Sequence, residues 1–154
     1  MERARSGILA AAADLVAAGG SGAVTMSSVA RRAAVAKATV YNHFRDRAEL
    51  LNALVATEGE RLVAHCRVVP PDGQLMAAAE WISSSPALAG LRRHDAAALV
   101  DLVDVVAASS QAHAAVATWC PPGGDVDDAL RWLLSFAVVP GGSGQSAADV
   151  PTSP

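Results

Sequence analysis

Aromatic side chains are scarce in this chain. One tyrosine, two phenylalanines and three tryptophans make up 4% of its 154 residues. A core must therefore be built mostly of alanine, valine and leucine, and an apolar content of 52% is ample for that. Cysteine is almost missing. Cys66 and Cys120 stand far apart without a CxxC context, which excludes a disulfide framework and reads as two reduced, half-buried thiols in a cytoplasmic protein. His65, His94 and His113 fall at spacings that match no standard metal site, so no metal is expected.

Long apolar runs are missing too. None reaches the length of about 18 residues that a membrane span needs. The stretch GILAAAADLVAAGG near the start is broken by Asp14 and reads as a packing helix, not as the core of an export signal. No nucleophile-base pair, phosphate-cradling glycine loop or paired-carboxylate motif stands out, so neither catalysis nor a cofactor is expected. Strand-type alternation, solenoid repeats and sustained heptads are absent, and an alanine-rich chain of this kind is all-α.

Charge is unevenly spread. Residues 1–55 carry a formal +3 and residues 56–154 a formal −6, within an overall −3. A basic head on an acidic body suits a head that meets phosphate.

The head holds the most informative stretch, residues 25–44, TMSSVARRAAVAKATVYNHF. Thr25 reads as an N-cap, followed by Met26, Val29, Ala30 and Ala33 at helical spacing. Ala30 is small where a second helix approaches. Ala34 stands at a turn, and Val40 packs the second helix back on the first. These offsets make a helix-turn-helix, whose second helix enters the DNA major groove. That second helix buries Val40 and Phe44 and turns Lys37, Thr39, Tyr41, Asn42 and His43 outward, a set suited to phosphates and base edges. Upstream, Ile8, Ala12 and Leu15 share one helix face that closes at Gly19 and Gly20. Downstream, Asp46 and Glu49 form a capping box that opens a long helix.

Taken together, RSGILAAAADLVAAGG, TMSSVARRAAVAKATVYNHF and RDRAELLNAL resemble the N-terminal domain of the tetracycline-repressor (TetR) family of bacterial transcription regulators, over about residues 5–54. The resemblance implies a homodimeric regulator that binds a palindromic double-stranded operator and releases it on binding a small-molecule inducer. By their match to the family pattern, Arg47, Tyr41 and Thr39 look like phosphate contacts. Thr25, Lys37, Asn42 and His43 complete the candidate DNA-binding set, with His43 balanced between phosphate contact and packing. Two residues depart from the pattern: Ala34 replaces the usual turn glycine and Ala36 the usual capping serine. They leave a second reading open, a ligand-binding or interaction protein with a degenerate helix-turn-helix.

Three segments are expected: residues 1–46 as the DNA-binding domain, 47–140 as a helical regulatory and dimerisation domain, and 141–154 as a disordered tail. In the body, a helix over 47–68 ends at Pro70, Pro71, Asp72 and Gly73. A second follows with Leu75, Ala79 and Ile82. A short helix starts at Ser85 and Pro86 and ends near Leu91. Asp95 caps a segment that continues or kinks to Trp119, and Asp125 caps the last helix after Pro121, Pro122, Gly123 and Gly124. In the family the last two body helices pair with their copies. Here Leu130, Leu133 and Leu134 present the face for that seam, or for ordinary core. Met76, Trp81, Trp119 and Trp132 are the candidate ligand-binding residues, and each is equally a core residue by type.

Overall fold

A computed structural model describes residues 2–139, so the expected tail over 141–154 lies outside the described residues. Among the described residues the chain forms nine α-helices, two short 3-10 turns and no strand. The helices are α1 (Glu2–Gly19), α2 (Met26–Arg32), α3 (Lys37–His43), α4 (Arg47–Arg67), α5 (Gln74–Ser84), α6 (Pro86–His94), α7 (Ala96–Ala107), α8 (Ser110–Trp119) and α9 (Val126–Val138). They divide into two compact units. Among the described residues the first takes 2–60 with Pro86–Ala96, and the second takes Arg61–Ser85 and 97–139. The boundary expected after residue 46 thus falls inside the first unit, which also includes α6.

In the first unit α1 buries Ile8, Leu9, Ala12 and Val16 along one stripe. It stops where Gly20 takes a left-handed φ of 71° and donates its N–H to the Val16 carbonyl at 2.9 Å. α6 crosses α1 at backbone distance. A Cβ on Gly90 would lie 2.1 Å from the Val16 oxygen and 2.6 Å from the Ala17 Cα. Only glycine permits that approach. Two polar contacts hold the crossing: Arg93 donates to the Ala17 carbonyl at 3.2 Å, and the Ser21 hydroxyl donates to the Asp95 carboxylate. The helix expected to end near Leu91 therefore runs one turn further, to His94.

The core of the second unit gathers Cys66, Leu75, Ala78, Ala79, Val116, Trp119, Ala129, Leu130 and Leu133. Leu130 and Leu133 are 5% and 2% exposed within this single chain, and burying each contributes about 2 kcal/mol. They are buried in the core of this single chain, one of the two places expected for them, while Leu134 is half-buried. Cys66 lies in the same core, where burial pushes its thiol pKa up. The segment expected to continue or kink to Trp119 breaks at Ser109, whose hydroxyl caps α8, and the two helices are bent by 71°. Asp125 caps α9 as its sequence position implies, accepting from the N–H groups of Asp127 and Asp128. α7 buries Leu99 but leaves Val100 and Val105 exposed.

One polar contact joins α8 to α9. The His113 ring sits with Nδ1 2.8 Å from the Ser109 carbonyl and Nε2 2.9 Å from the Asp127 carboxylate. Both neighbours are acceptors, so the doubly protonated ring satisfies both. The Ser109 carbonyl first, and Asp127 after it, hold the His113 pKa above its ordinary value against a smaller opposing effect of burial.

Two outcomes follow from these contacts. Gly90→Ala should destabilise the protein by about 2–3 kcal/mol, since the clash is with backbone, which cannot swing away; urea melts would read it. The His113 contribution has the sign of a raised pKa: full below the unfolded imidazole value of about 6.5 and lost as pH rises through the higher folded value. His113→Asn should flatten that part of the stability-pH curve, measured by melts across the range.

Candidate nucleic-acid interface

The site is built on the turn between α2 and α3. Thr25 caps α2: its hydroxyl accepts from the Ser28 N–H at 3.0 Å, and the Ser28 hydroxyl accepts in return from the Thr25 N–H at 2.8 Å. At the other end Ala34 is the one non-glycine residue among those described with positive φ, 54°. Around it the Val35 N–H reaches the Ala30 carbonyl at 3.0 Å and the Ala34 N–H reaches Arg31 at 3.3 Å. This pair of bonds is the Schellman closure, which ordinarily uses glycine. The turn that the sequence pattern requires is therefore made, with an alanine in a conformation that strains its Cβ.

α3 then begins without a side-chain cap, because Ala36 offers no acceptor; its carbonyl accepts the Thr39 N–H at 2.9 Å. Val40 and Phe44, at 0% and 2% exposure, pin the helix from below. Lys37, Tyr41 and Asn42 are exposed, while Thr39 and His43 are half-buried at the sides. The Lys37 ammonium lies 5.7 Å from the centre of the Tyr41 ring, one turn along the same face. His43 stands 6.4 Å from Phe44, ring centre to ring centre.

The neighbouring cations divide into two groups. Arg32 pairs with Asp14 of α1 at 2.7 Å, which fastens α2 to α1. Arg47, expected as a phosphate contact, donates from Nε to the Val24 carbonyl at 2.8 Å and from Nη2 to the Ser21 carbonyl at 2.7 Å. Two of its five donors thus clamp the loop before α2, and Nη1 stays open. Arg5, which sequence reasoning passed over, stacks its guanidinium 5.5 Å from the centre of the Phe44 ring. Its one signal in the sequence was a position ahead of the first apolar stripe. Asp46 caps α4 through the Glu49 N–H at 2.9 Å, and Glu49 reaches back to the Arg45 N–H at 2.7 Å. The Glu49 amide chiefly, with Arg45 beside it, lowers the Asp46 pKa.

A capped helix, a left-handed turn and a second helix with a polar exposed face now stand in one unit. Residues 8–54 match the family described as bacterial regulatory proteins, tetR family. The chain carries a TetR-family DNA-binding domain. That domain indicates a DNA-binding transcriptional regulator of the TetR family, in which dimers are typical. Neither curated proteins nor solved structures hold a significant match to the chain. The TetR match covers α2 and α3 whole and part of α1 and α4; the second unit lies beyond it.

The four candidate ligand residues of that second unit are not brought to one place. Met76 lines an open groove of about 430 Å³ together with Glu80 and Phe136. Trp132 stands edge-on to Phe136 at 4.9 Å, and its indole N–H is buried without an acceptor among the described residues. Trp81 packs on His65, ring centres 4.9 Å apart. Trp119 lines a second groove of about 670 Å³. Among the described residues no group of three His, Cys, Asp or Glu side chains could hold a metal ion. No single helix there is long and apolar enough to cross a membrane; α7 and α8 reach that length and composition only as a bent pair.

The α2–α3 turn yields a pair of expected outcomes. Ala36→Ser supplies an acceptor for the first amides of α3 and should raise stability by about 1 kcal/mol. Ala34→Gly removes the Cβ strain at φ 54° and should gain about 0.5–1 kcal/mol after the added freedom of the unfolded glycine is subtracted. Urea melts of both variants check this, and the double variant should show nearly the sum unless the two ends of the turn are coupled.

Proposed function

We propose that the protein is a homodimeric repressor that binds a palindromic double-stranded operator through α3 and leaves it when a small molecule binds the second unit. The carrying observation is the exposed polar face of α3, held from below by Val40 and Phe44. Lys37 and Asn42 are assigned to base edges, lysine suiting guanine acceptors and asparagine suiting adenine. Thr39, Tyr41, His43 and the open Nη1 of Arg47 are assigned to phosphates, with Thr25 at the start of α2 beside them. The basic sign of residues 1–55 supports this, since each phosphate neutralised releases counterions. The protein acts by binding, with no cofactor and no catalysis, in the cytoplasm where its operator is. With Leu130 and Leu133 in the core of one chain, the seam between subunits falls to Leu134 and its apolar surface neighbours.

The test is selection of binding sites by the full chain from a pool of random duplexes, followed by mobility shifts. Recovery of an inverted repeat is the expected result; an unenriched pool would return the protein to the class of interaction modules with a degenerate helix-turn-helix. Lys37→Ala and Asn42→Ala should change the recovered sequence, and Tyr41→Phe should weaken all duplexes alike. Arg47→Ala should lower both the melting temperature and the salt slope, the latter by about one.

A further inference from the structure

The groove of about 670 Å³ in the second unit has a lining unlike that of a hydrophobic drug pocket. It runs between the last turn of α4, the start of α5 and one face of α8. Its size is in the range of pockets that hold small organic ligands, about 300–1,000 Å³. Val63, Ala114 and Ala115 give it apolar walls, and Trp119 gives it an aromatic one. Trp119 is 6% exposed, yet its indole N–H meets no acceptor among the described residues. Gln111 offers an amide that is likewise unengaged, and Gln74, whose amide N–H₂ donates to the Val69 carbonyl at 3.0 Å, keeps its amide oxygen at the rim.

One charged residue lines the groove, Arg67, and no carboxylate does. Arg67 ends α4, is exposed and makes no ion pair among the described residues. A guanidinium and an aromatic residue lining one groove match a planar aromatic anion: the fork takes a carboxylate in two parallel bonds while the ring lies against the indole. We propose that this groove is the ligand site of the second unit and that it takes aromatic carboxylates, with Arg67 holding the carboxylate and Trp119 the ring. The assignment rests on the reading that the second unit binds the releasing ligand. It gives that ligand a charge and a shape, and moves the site away from Met76, Trp81 and Trp132.

The probe is 2-naphthoate, with 2-naphthamide as the neutral counterpart of the same shape. Full-length protein is titrated with each by calorimetry, and the same compounds are added to the complex with the selected duplex in mobility shifts. Naphthoate should bind at least tenfold more tightly than naphthamide, and Arg67→Gln should abolish the difference. Gln111→Ala, an exposed change that leaves the core alone, should weaken naphthoate about threefold; Trp119→Phe, which shrinks the aromatic wall, should weaken it further. Equal affinities for acid and amide, an unaltered affinity in Arg67→Gln, or no binding of naphthoate would each overturn the proposal. Binding that follows the expected order without release of DNA would uphold the groove and overturn the release reading. Release of DNA by the amide alone would do the reverse.

Discussion

Everything the first unit can do with DNA depends on one dihedral angle. Ala34 holds φ at 54° so that the chain reverses within three residues and α3 returns across α2. Were that residue to relax to an ordinary negative φ, the Val35 and Ala34 amides would lose their carbonyl partners on α2. Val40 and Phe44 would then leave the core together, and the polar face of α3 would lose its orientation. A left-handed alanine costs about 1–2 kcal/mol. The burial of Val40 and Phe44 contributes more than that, at about 1.5–3 kcal/mol for each side chain. Packing therefore wins over local preference, and the strained turn persists.

A second constraint is the glycine on which α6 crosses α1. Gly90 belongs to a segment that lies between two stretches of the second unit in sequence, yet it is packed against the first. Backbone contact of this kind has no slack: a methyl group has nowhere to go. The Ser21–Asp95 and Arg93–Ala17 contacts then fix the register of the crossing, both within five residues after Gly90 on the α6 side. Ser21 is also the residue whose carbonyl Arg47 holds. The loop before α2 is thereby gripped from α4 and from the residue after α6 at once.

Local chemistry was legible in the sequence, and distant pairing was not. Thr25, Asp46 and Asp125 were readable as caps because a cap acts within three residues, and each does cap its helix. Gly20 closes α1 and the proline-glycine breaks fall where the helices stop, for the same reason. Val40 and Phe44 were readable as buried because i and i+4 share a helix face. By contrast, the stripe of Leu130, Leu133 and Leu134 said that a face is apolar without saying what covers it. The cover is α5 and α8 of the same chain for the first two. Arg47 was expected at phosphate by its match to the family pattern; that it also holds the carbonyls of Ser21 and Val24, more than twenty residues earlier, leaves no trace in the local pattern. Gly90 inside an otherwise helical run was the visible sign of the α6 crossing, and a glycine there identifies a close approach without naming the partner.

The scarcity of aromatics sorts them by unit. All three tryptophans, Trp81, Trp119 and Trp132, lie in the second unit, and the chain's one tyrosine, Tyr41, stands on the exposed face of α3. The protein thus carries two separate optical labels without modification. Indole emission comes from the second unit alone and phenol emission from α3 alone. The three indoles differ among themselves as well: one stacks on His65, one borders the larger groove, and one has its N–H buried against the edge of Phe136. Events in the two units can therefore be timed against each other in the same cuvette.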